Sequence, residues 1–132
     1  MLTMLGDLER IGDLCLDLSE VWERKEELDL KFSEGTEKYL RTMTEKVDES
    51  FKNLNENLAK EYIHVDISRA QELEDQIDEL LQEIRLSHLK SLEQKEDTVQ
   101  NGLVYKDLYS VLERIGDHIY SVNKSLVDSV KS

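Results

Sequence analysis

One six-residue sequence, Leu-Glu-Arg-Ile-Gly-Asp, occurs twice in this 132-residue chain, at 8–13 and at 112–117. Apolar residues continue past both copies at successive spacings of 3, 4, 3 and 4. This is the spacing of the buried stripe of an amphipathic helix. Each copy is therefore predicted to lie in a helix that buries the same stripe. The stripe residues are Leu8, Ile11, Cys15, Leu18 and Trp22 in the first helix and Leu112, Ile115, Ile119, Val122 and Leu126 in the second.

The charged residues and the glycine of the repeated sequence make an unusual helix surface. Its Glu and Asp lie four residues apart, one helical turn, and like charges at this spacing cost ~0.2–0.5 kcal/mol. The glycine lies between them and costs about 1 kcal/mol relative to alanine. Either the carboxylates face a shared cation and the glycine permits a close approach, or Arg10 and Arg114 compensate the acids while Gly12 and Gly116 admit a packed helix.

The composition favours long helices with solvated outer faces, because proline is absent, glycine numbers five and 36% of the residues are charged. The net charge of −13 argues against binding to nucleic acid or to anionic lipid, which need a basic surface. It is compatible with cation binding.

The cysteine content and the hydropathy indicate the redox compartment and whether the chain can enter a membrane. Cys15 is the one cysteine, so no disulfide can form within the chain and a reducing compartment is expected. No apolar run approaches the ~20 residues that a membrane span requires, and no signal peptide is visible. This segment is therefore not expected to insert into a membrane.

The apolar periodicity and the capping residues predict four helices. The first covers 2–27, the second follows the N-cap Ser33 and ends near 60–62, and the third follows Asp66 and ends near Leu92. Asn101-Gly102 is the strongest turn signal, so a loop is placed at 95–102 and the fourth helix at 103–130. Short connections favour antiparallel neighbours, which predicts an all-α, antiparallel up-down four-helix bundle in a single domain of residues 1–132.

Several residues of the first two helices carry specific expectations. The helix-forming pattern starts without a capping residue before Leu2, which predicts that the chain is a fragment of a longer protein. The outer residues Leu5, Leu14 and Leu16 are expected to be uncovered, and such apolar surface promotes association, so we expect a homodimer. The last two turns of the second helix are expected to fray, because they contain three asparagines, Asn53, Asn55 and Asn57.

A second acidic pair lies on the third helix, where Glu74 and Asp78 are also four residues apart. If the third and fourth helices pair antiparallel, this pair falls within about two turns of Glu113 and Asp117 in height. Four carboxylates then converge between the two helices. Such a site suits Mg, Ca, Mn or Fe, and Zn where a histidine joins it.

The three histidines are interpreted as residues other than ligands. His64 is placed in a loop and His88 late on the third helix. His118 is placed on the surface, because it lies about 100° round the helix from the preceding Asp117. The chain contains no Gly-rich phosphate loop and no recognisable nucleophile motif.

The stretch Glu113–Asp117 and the following residues 118–122 resemble the signature of the PhoU family, an E/D-x-x-x-D motif within a longer LERIGDHA-like run. Residues 105–122 resemble that family's closing helix, and Glu74 and Asp78 resemble its second acidic motif. The placement of one hexamer near each end resembles the PhoU-like region that follows the membrane part of bacterial sodium/phosphate cotransporter-type proteins. The resemblance covers nearly the whole chain.

The resemblance implies an all-α bundle of three-helix repeats that acts in phosphate uptake and its regulation rather than in catalysis. It also implies metal, as multinuclear iron or zinc, on the acidic pairs, and Mn suits the same carboxylates. The metal-ligand candidates are Glu113, Asp117, Glu74, Asp78, Glu9 and Asp13. The first hexamer departs from the pattern, because its companion helix would precede Met1 and Leu14 stands where the second copy has His118.

The leading hypothesis is a cytoplasmic regulatory or interaction domain for phosphate transport, tethered to the inner membrane through a missing N-terminal transporter region of the same protein. One alternative is a freestanding metal-dependent enzyme on a helical bundle, and another is a helical scaffold without a ligand. The uncapped start of the first helix favours the leading hypothesis over a complete enzyme.

Overall fold

The computed structural model describes residues 2–61, 64–95 and 98–131, and within these ranges it contains four α-helices and no strand. The helices are α1, Leu2–Glu27; α2, Glu34–Ala59; α3, Ser68–Glu93; and α4, Val99–Lys131. The predicted all-α four-helix bundle is confirmed, and the first three helices begin and end close to their predicted positions. None of the described helices is both long enough and apolar enough to cross a membrane.

The start of α2 follows from its capping residue. Ser33 has an extended backbone, and its Oγ accepts a hydrogen bond of 3.2 Å from the backbone N–H of Thr36. This satisfies one of the N–H groups that have no partner within the first turn of a helix. The predicted fraying at the other end was wrong, because α2 stays helical to Ala59 and Asn57 is buried. Tyr62, in the predicted end region, lies outside the described residues.

The start of α4 differs from the prediction, because Asn101-Gly102 lies inside the helix and makes no turn. The Thr98 hydroxyl accepts a hydrogen bond from the N–H of Asn101 at 3.1 Å, and its carbonyl accepts one from Gly102 at 3.0 Å. Gly102 is buried, and a Cβ there would lie 3.2 Å from Nε2 of His88. Glycine at this position therefore permits close packing of α3. The left-handed residue that follows the end of α3 is Lys95, with φ 54°.

The helices alternate in direction, and α4 packs against all three others. Arg24 pairs with Asp107 and Asp7 contacts His118, so α1 runs antiparallel to α4. α2 runs parallel to α4, and α3 runs antiparallel to it. Because α4 is covered from three sides, it supplies the largest share of the core: Val104, Tyr105, Leu108, Tyr109, Val111, Leu112, Ile115, Ile119, Val122 and Leu126.

The predicted burial of the second hexamer's stripe is confirmed for Leu112, Ile115 and Ile119. In the first copy the prediction holds for Ile11 and was wrong for two residues, since Leu8 is 38% exposed and Cys15 is exposed. The reason is that α1 packs mainly against α4, so only one face of α1 is covered.

The covered face of α1 is rotated from the predicted stripe. Leu14 was expected to be uncovered, and it is fully buried. Trp22 was expected in the core, and it is 49% exposed at an apolar groove between α1, α2 and α4. Leu5 and Leu16 are exposed, as predicted.

Candidate metal centre

Three carboxylates from two helices converge at the α3–α4 interface. Glu74 and Asp78 of α3 and Asp117 of α4 each offer one oxygen, and these oxygens all lie within 4.8 Å of one another. The two residues of α3 stand one turn apart, and the antiparallel packing of α4 places Asp117 beside both. Sequence reasoning anticipated this meeting of the second acidic pair with the second hexamer.

Glu113 lies one turn before Asp117 and is half-buried. The pKa of its carboxyl is raised to about 7, first by burial and then by the neighbouring Asp117 and Asp78. The positive charge of Arg85 opposes this increase in pKa. Glu113 therefore belongs to the same electrostatic cluster as the three converging carboxylates.

Glu74 is the most strongly perturbed acid of the cluster. The pKa of its carboxyl is raised to about 9, first by burial and then by a hydrogen bond with Asp117 and by the charge of Asp117. Its Oε2 is buried, and among the described residues no donor reaches that oxygen. At neutral pH the protonated Glu74 carboxyl can itself donate to Asp117, which is how two acids share one site without a cation.

The pKa of Asp78 is also raised, although its side chain is more exposed than that of Glu74. Burial raises the pKa of its carboxyl, and the charges of Asp117 and Asp75 contribute. The raised pKa values of Glu74, Glu113 and Asp78 come first from burial and second from repulsion between the charged forms. A divalent cation would replace this repulsion with coordination by carboxylate oxygen, and it would give the orphaned Oε2 of Glu74 a partner. The donors present therefore fit a metal ion.

Gly116 lies where α4 packs closely against α3. A Cβ built on Gly116 would lie 3.1 Å from Cδ1 of Ile77 and 3.9 Å from Oε2 of Glu74. The second hexamer thus uses its glycine to admit a packed helix, as one of the two sequence interpretations proposed. The other part of that interpretation lacks support, because neither Arg10 nor Arg114 forms an ion pair within the described ranges.

The first hexamer has a different environment. Glu9, Gly12 and Asp13 are exposed on α1, and a Cβ at Gly12 would meet nothing within 4 Å in the described part of the chain. Across the described parts of the chain, the one group of three or more close acids, histidines or cysteines is that of Glu74, Asp78 and Asp117. The structure therefore does not bring Glu9 and Asp13 together with acids of another helix.

His118, predicted to lie on the surface, is partly exposed and also contacts α1. Its Nδ1 lies 2.8 Å from Oδ1 of Asp7, whose other oxygen accepts a hydrogen bond of 2.6 Å from the hydroxyl of Ser121. These contacts join α1 to α4 at the residue that follows Asp117 in the sequence. The signal in the sequence was the position of Asp7, one turn before Ile11 on the face of α1 that packs against α4.

His88 and Tyr120 are also held by the α3–α4 pair. His88 is buried, and its Nδ1 lies 3.2 Å from the hydroxyl of Tyr109. Tyr120, one turn beyond Gly116, donates a hydrogen bond to Oε1 of Gln71. Both contacts fix the register of the two helices that carry the acids.

Comparison with known proteins gives this site a family context. Residues 37–126 match the PhoU domain family. The chain is also 27% identical, over 127 residues, to the phosphate-specific transport system accessory protein PhoU homolog of Deinococcus radiodurans. That alignment covers 92% of this chain and 55% of the relative, so the chain spans about half of that protein's length. No solved structure matches this chain.

The family match extends over most of α2, all of α3 and most of α4, and it includes Glu74, Asp78, Glu113 and Asp117. It agrees with the resemblance that the repeated hexamer and the second acidic motif predicted. The chain therefore belongs to the PhoU family.

Proposed function

We propose that this chain is a non-enzymatic regulatory domain of phosphate transport that binds a metal ion between α3 and α4. Two observations carry the metal proposal: Glu74, Asp78 and Asp117 converge, and Oε2 of Glu74 is buried with no donor among the described residues. The regulatory role is supported by membership in the PhoU family and by the relative described as an accessory protein of a phosphate-specific transport system.

The chemistry of the donors narrows the metal. Glu74, Asp78 and Asp117, with Glu113 beside them, offer hard carboxylate oxygens, and His118 is engaged by Asp7. An all-oxygen donor set suits Mn and Fe better than Zn, which favours nitrogen and sulfur ligands. Of the three transition metals expected from the sequence, Mn and Fe are therefore the better candidates.

A bound cation would act on the bundle by linking α3 to α4. Ligands from both helices hold the ion, so binding stabilises the folded state by mass action. In the proposed function, this link fixes the surface that the domain presents to a transporter. We place the domain in the cytoplasm, with the membrane transporter part of the same protein, of the sodium/phosphate cotransporter type, as its partner and its tether.

Metal binding is tested with protein purified without chelator. We expect elemental analysis to find a transition metal and thermal melts to shift upward with added Mn²⁺ or Fe²⁺. The double variant Glu113→Gln/Asp117→Asn should lose this response. Its matched control, Glu9→Gln/Asp13→Asn, changes the same residues of the other hexamer and should respond like the parent.

The apo forms of these proteins separate the two interpretations of the hexamer. Removal of two mutually repelling acids should leave the apo double variant as stable as the parent or more so. If the motif arginine compensates its acids, apo stability should instead fall by ~0.5 kcal/mol. A parent protein without any metal response, combined with a less stable double variant, would favour the ligand-free scaffold.

The regulatory role is tested in cells that express the transporter partner. Phosphate uptake should differ between cells that produce the parent chain and cells that produce Glu113→Gln/Asp117→Asn, while Glu9→Gln/Asp13→Asn should match the parent. Turnover of phosphate esters by the metal-loaded purified protein, lost in the same double variant, would point instead to the metal-dependent enzyme.

A further inference from the structure

We infer that Gly116 is a positioning residue of the carboxylate centre: its missing side chain sets the α3–α4 spacing at which Glu74 and Asp78 reach Asp117. The inference rests on the proposed metal site for its binding measurement. Gly116 has no side-chain ligand atom, so it can act on the metal site only through the distance between α3 and α4.

The close contact at Gly116 involves a side chain with little freedom to move. A Cβ at this position would lie 3.1 Å from Cδ1 and 3.7 Å from Cγ2 of Ile77. Ile77 is fully buried in the main core cluster, where close packing resists displacement. A methyl group at Gly116 would therefore push on α3 rather than on a loose side chain.

The acids of α3 are tied to the point of contact. Glu74 precedes Ile77 by three residues and Asp78 follows it directly, while Asp117 follows Gly116 directly. A shift of α3 away from α4 at Ile77 would carry both acids of α3 away from Asp117. Oxygens that now lie within 4.8 Å of one another would then move apart by a few tenths of an ångström, which weakens their shared coordination of one ion.

The repeated hexamer supplies an internal comparison. Gly12 occupies the same position in an identical sequence, yet a Cβ built there would meet no atom of the described residues within 4 Å. Among those residues, Glu9 and Asp13 belong to no group of three or more close acids, histidines or cysteines. Glycine in the hexamer is therefore insufficient on its own to build the centre. The centre forms where the glycine faces Ile77.

The test measures Mn²⁺ affinity by titration calorimetry, together with apo stability by thermal melts, for four variants. Gly116→Ala should weaken Mn²⁺ binding about 10- to 100-fold, the usual range for residues that orient metal ligands. Gly12→Ala should bind like the parent. Gly116→Ala/Ile77→Val removes Cδ1, the nearest atom, and should recover most of the affinity, while Ile77→Val alone controls for the lost methyl group.

A merely structural role predicts a different pattern. If Gly116 serves packing alone, Gly116→Ala changes the melting temperature and leaves the Mn²⁺ affinity of the folded protein unchanged, which would overturn the inference. Failure of Ile77→Val to restore affinity would also overturn it. If Gly116→Ala does not fold, Gly116→Ala/Ile77→Val is compared with Ile77→Val. Valine keeps Cγ2, which lies 3.7 Å from the added Cβ, so the inference expects weaker Mn²⁺ binding in the double variant, and equal affinity would overturn it.

Failure of the proposed function is recognised separately. A parent protein that binds no Mn²⁺ removes the metal site but leaves the spacing to be tested by crystal structures of the parent and of Gly116→Ala. The inference expects the carboxylates of Glu74 and Asp117 to lie further apart in the variant and to return in Gly116→Ala/Ile77→Val. An unchanged separation would refute the positioning role whether or not metal binds.

Discussion

Asn57 of α2 donates a hydrogen bond of 2.7 Å from Nδ2 to Oδ1 of Asn123 of α4, and each residue is 1% exposed. Asn123 in turn donates from Nδ2 to the carbonyl of Ile119 at 3.2 Å. Buried polar groups are stable only when their partners are in place. This pair therefore holds the last turns of α2 against α4, where the sequence indicates a frayed helix end.

Replacement of one member of this pair should cost more than replacement of both. Asn57→Ala leaves Oδ1 of Asn123 buried without its donor, and we expect a loss of about 1–3 kcal/mol in the free energy of unfolding. Asn57→Leu/Asn123→Leu removes both polar groups and should cost less. Urea melts measure the difference, and a double variant less stable than Asn57→Ala would contradict this explanation.

The two hexamers should respond differently to truncation of their apolar residues. Ile115 is 1% exposed, and Ile115→Ala should lower the free energy of unfolding by about 2–5 kcal/mol. Leu8, at 38% exposure, is the matched control, and Leu8→Ala should cost under about 1 kcal/mol. Equal losses in denaturant melts would show that α1 is covered as fully as α4.

The metal-free protein should become less stable as the pH rises from 4.5 towards 9. In the folded state the pKa of Glu113 is raised to about 7 and that of Glu74 to about 9, both from 4.5. Between these values the folded state holds more protons than the unfolded state, so the free energy of unfolding falls with increasing pH. The stabilisation that comes from the bound protons is complete below pH 4.5. It is lost as the pH rises through about 7 for Glu113 and about 9 for Glu74.

Glu74→Gln/Glu113→Gln is the control for this pH dependence, measured as thermal or urea melts in the presence of chelator. The double variant keeps the side-chain size and removes both titrations, so its stability should vary less over the same interval. Both side chains are about half-buried, and solvent screening reduces the effect. Equal pH profiles for the parent and this variant would show that the pKa values of Glu74 and Glu113 are not raised in the folded protein.

Self-association is expected through the uncovered face of α1. Leu5 is 56% exposed and Leu16 is 61% exposed, and apolar surface of this kind promotes association. Because the net charge is −13, added salt should strengthen a dimer by screening the repulsion between copies. Light scattering should show a dimer for the parent and a monomer for Leu5→Glu/Leu16→Glu; a monomeric parent at high concentration would refute this expectation.

The sequence by itself determined the helices and the candidate acids. The 3,4 spacing of apolar residues and the N-cap Ser33 locate α1, α2 and α3 closely, because both signals are local. The spacing of four residues in Glu74–Asp78 and Glu113–Asp117 places each pair on one helix face. A short connection between α3 and α4 then suffices to bring the pairs near one another. The turn predicted at Asn101-Gly102 does not form, because the preference of this dipeptide for turns is only statistical. Thr98 caps α4 before the dipeptide is reached.

Only the tertiary structure decided what each of the two identical hexamers does. Periodicity specifies which face of a helix is apolar, but burial depends on the helices that cover it. α4 is covered from three sides, so Gly116 meets Ile77 and Asp117 meets the acids of α3. α1 is covered mainly by α4, which buries Ile11 and Leu14 but leaves Gly12 open and keeps Glu9 and Asp13 at the surface.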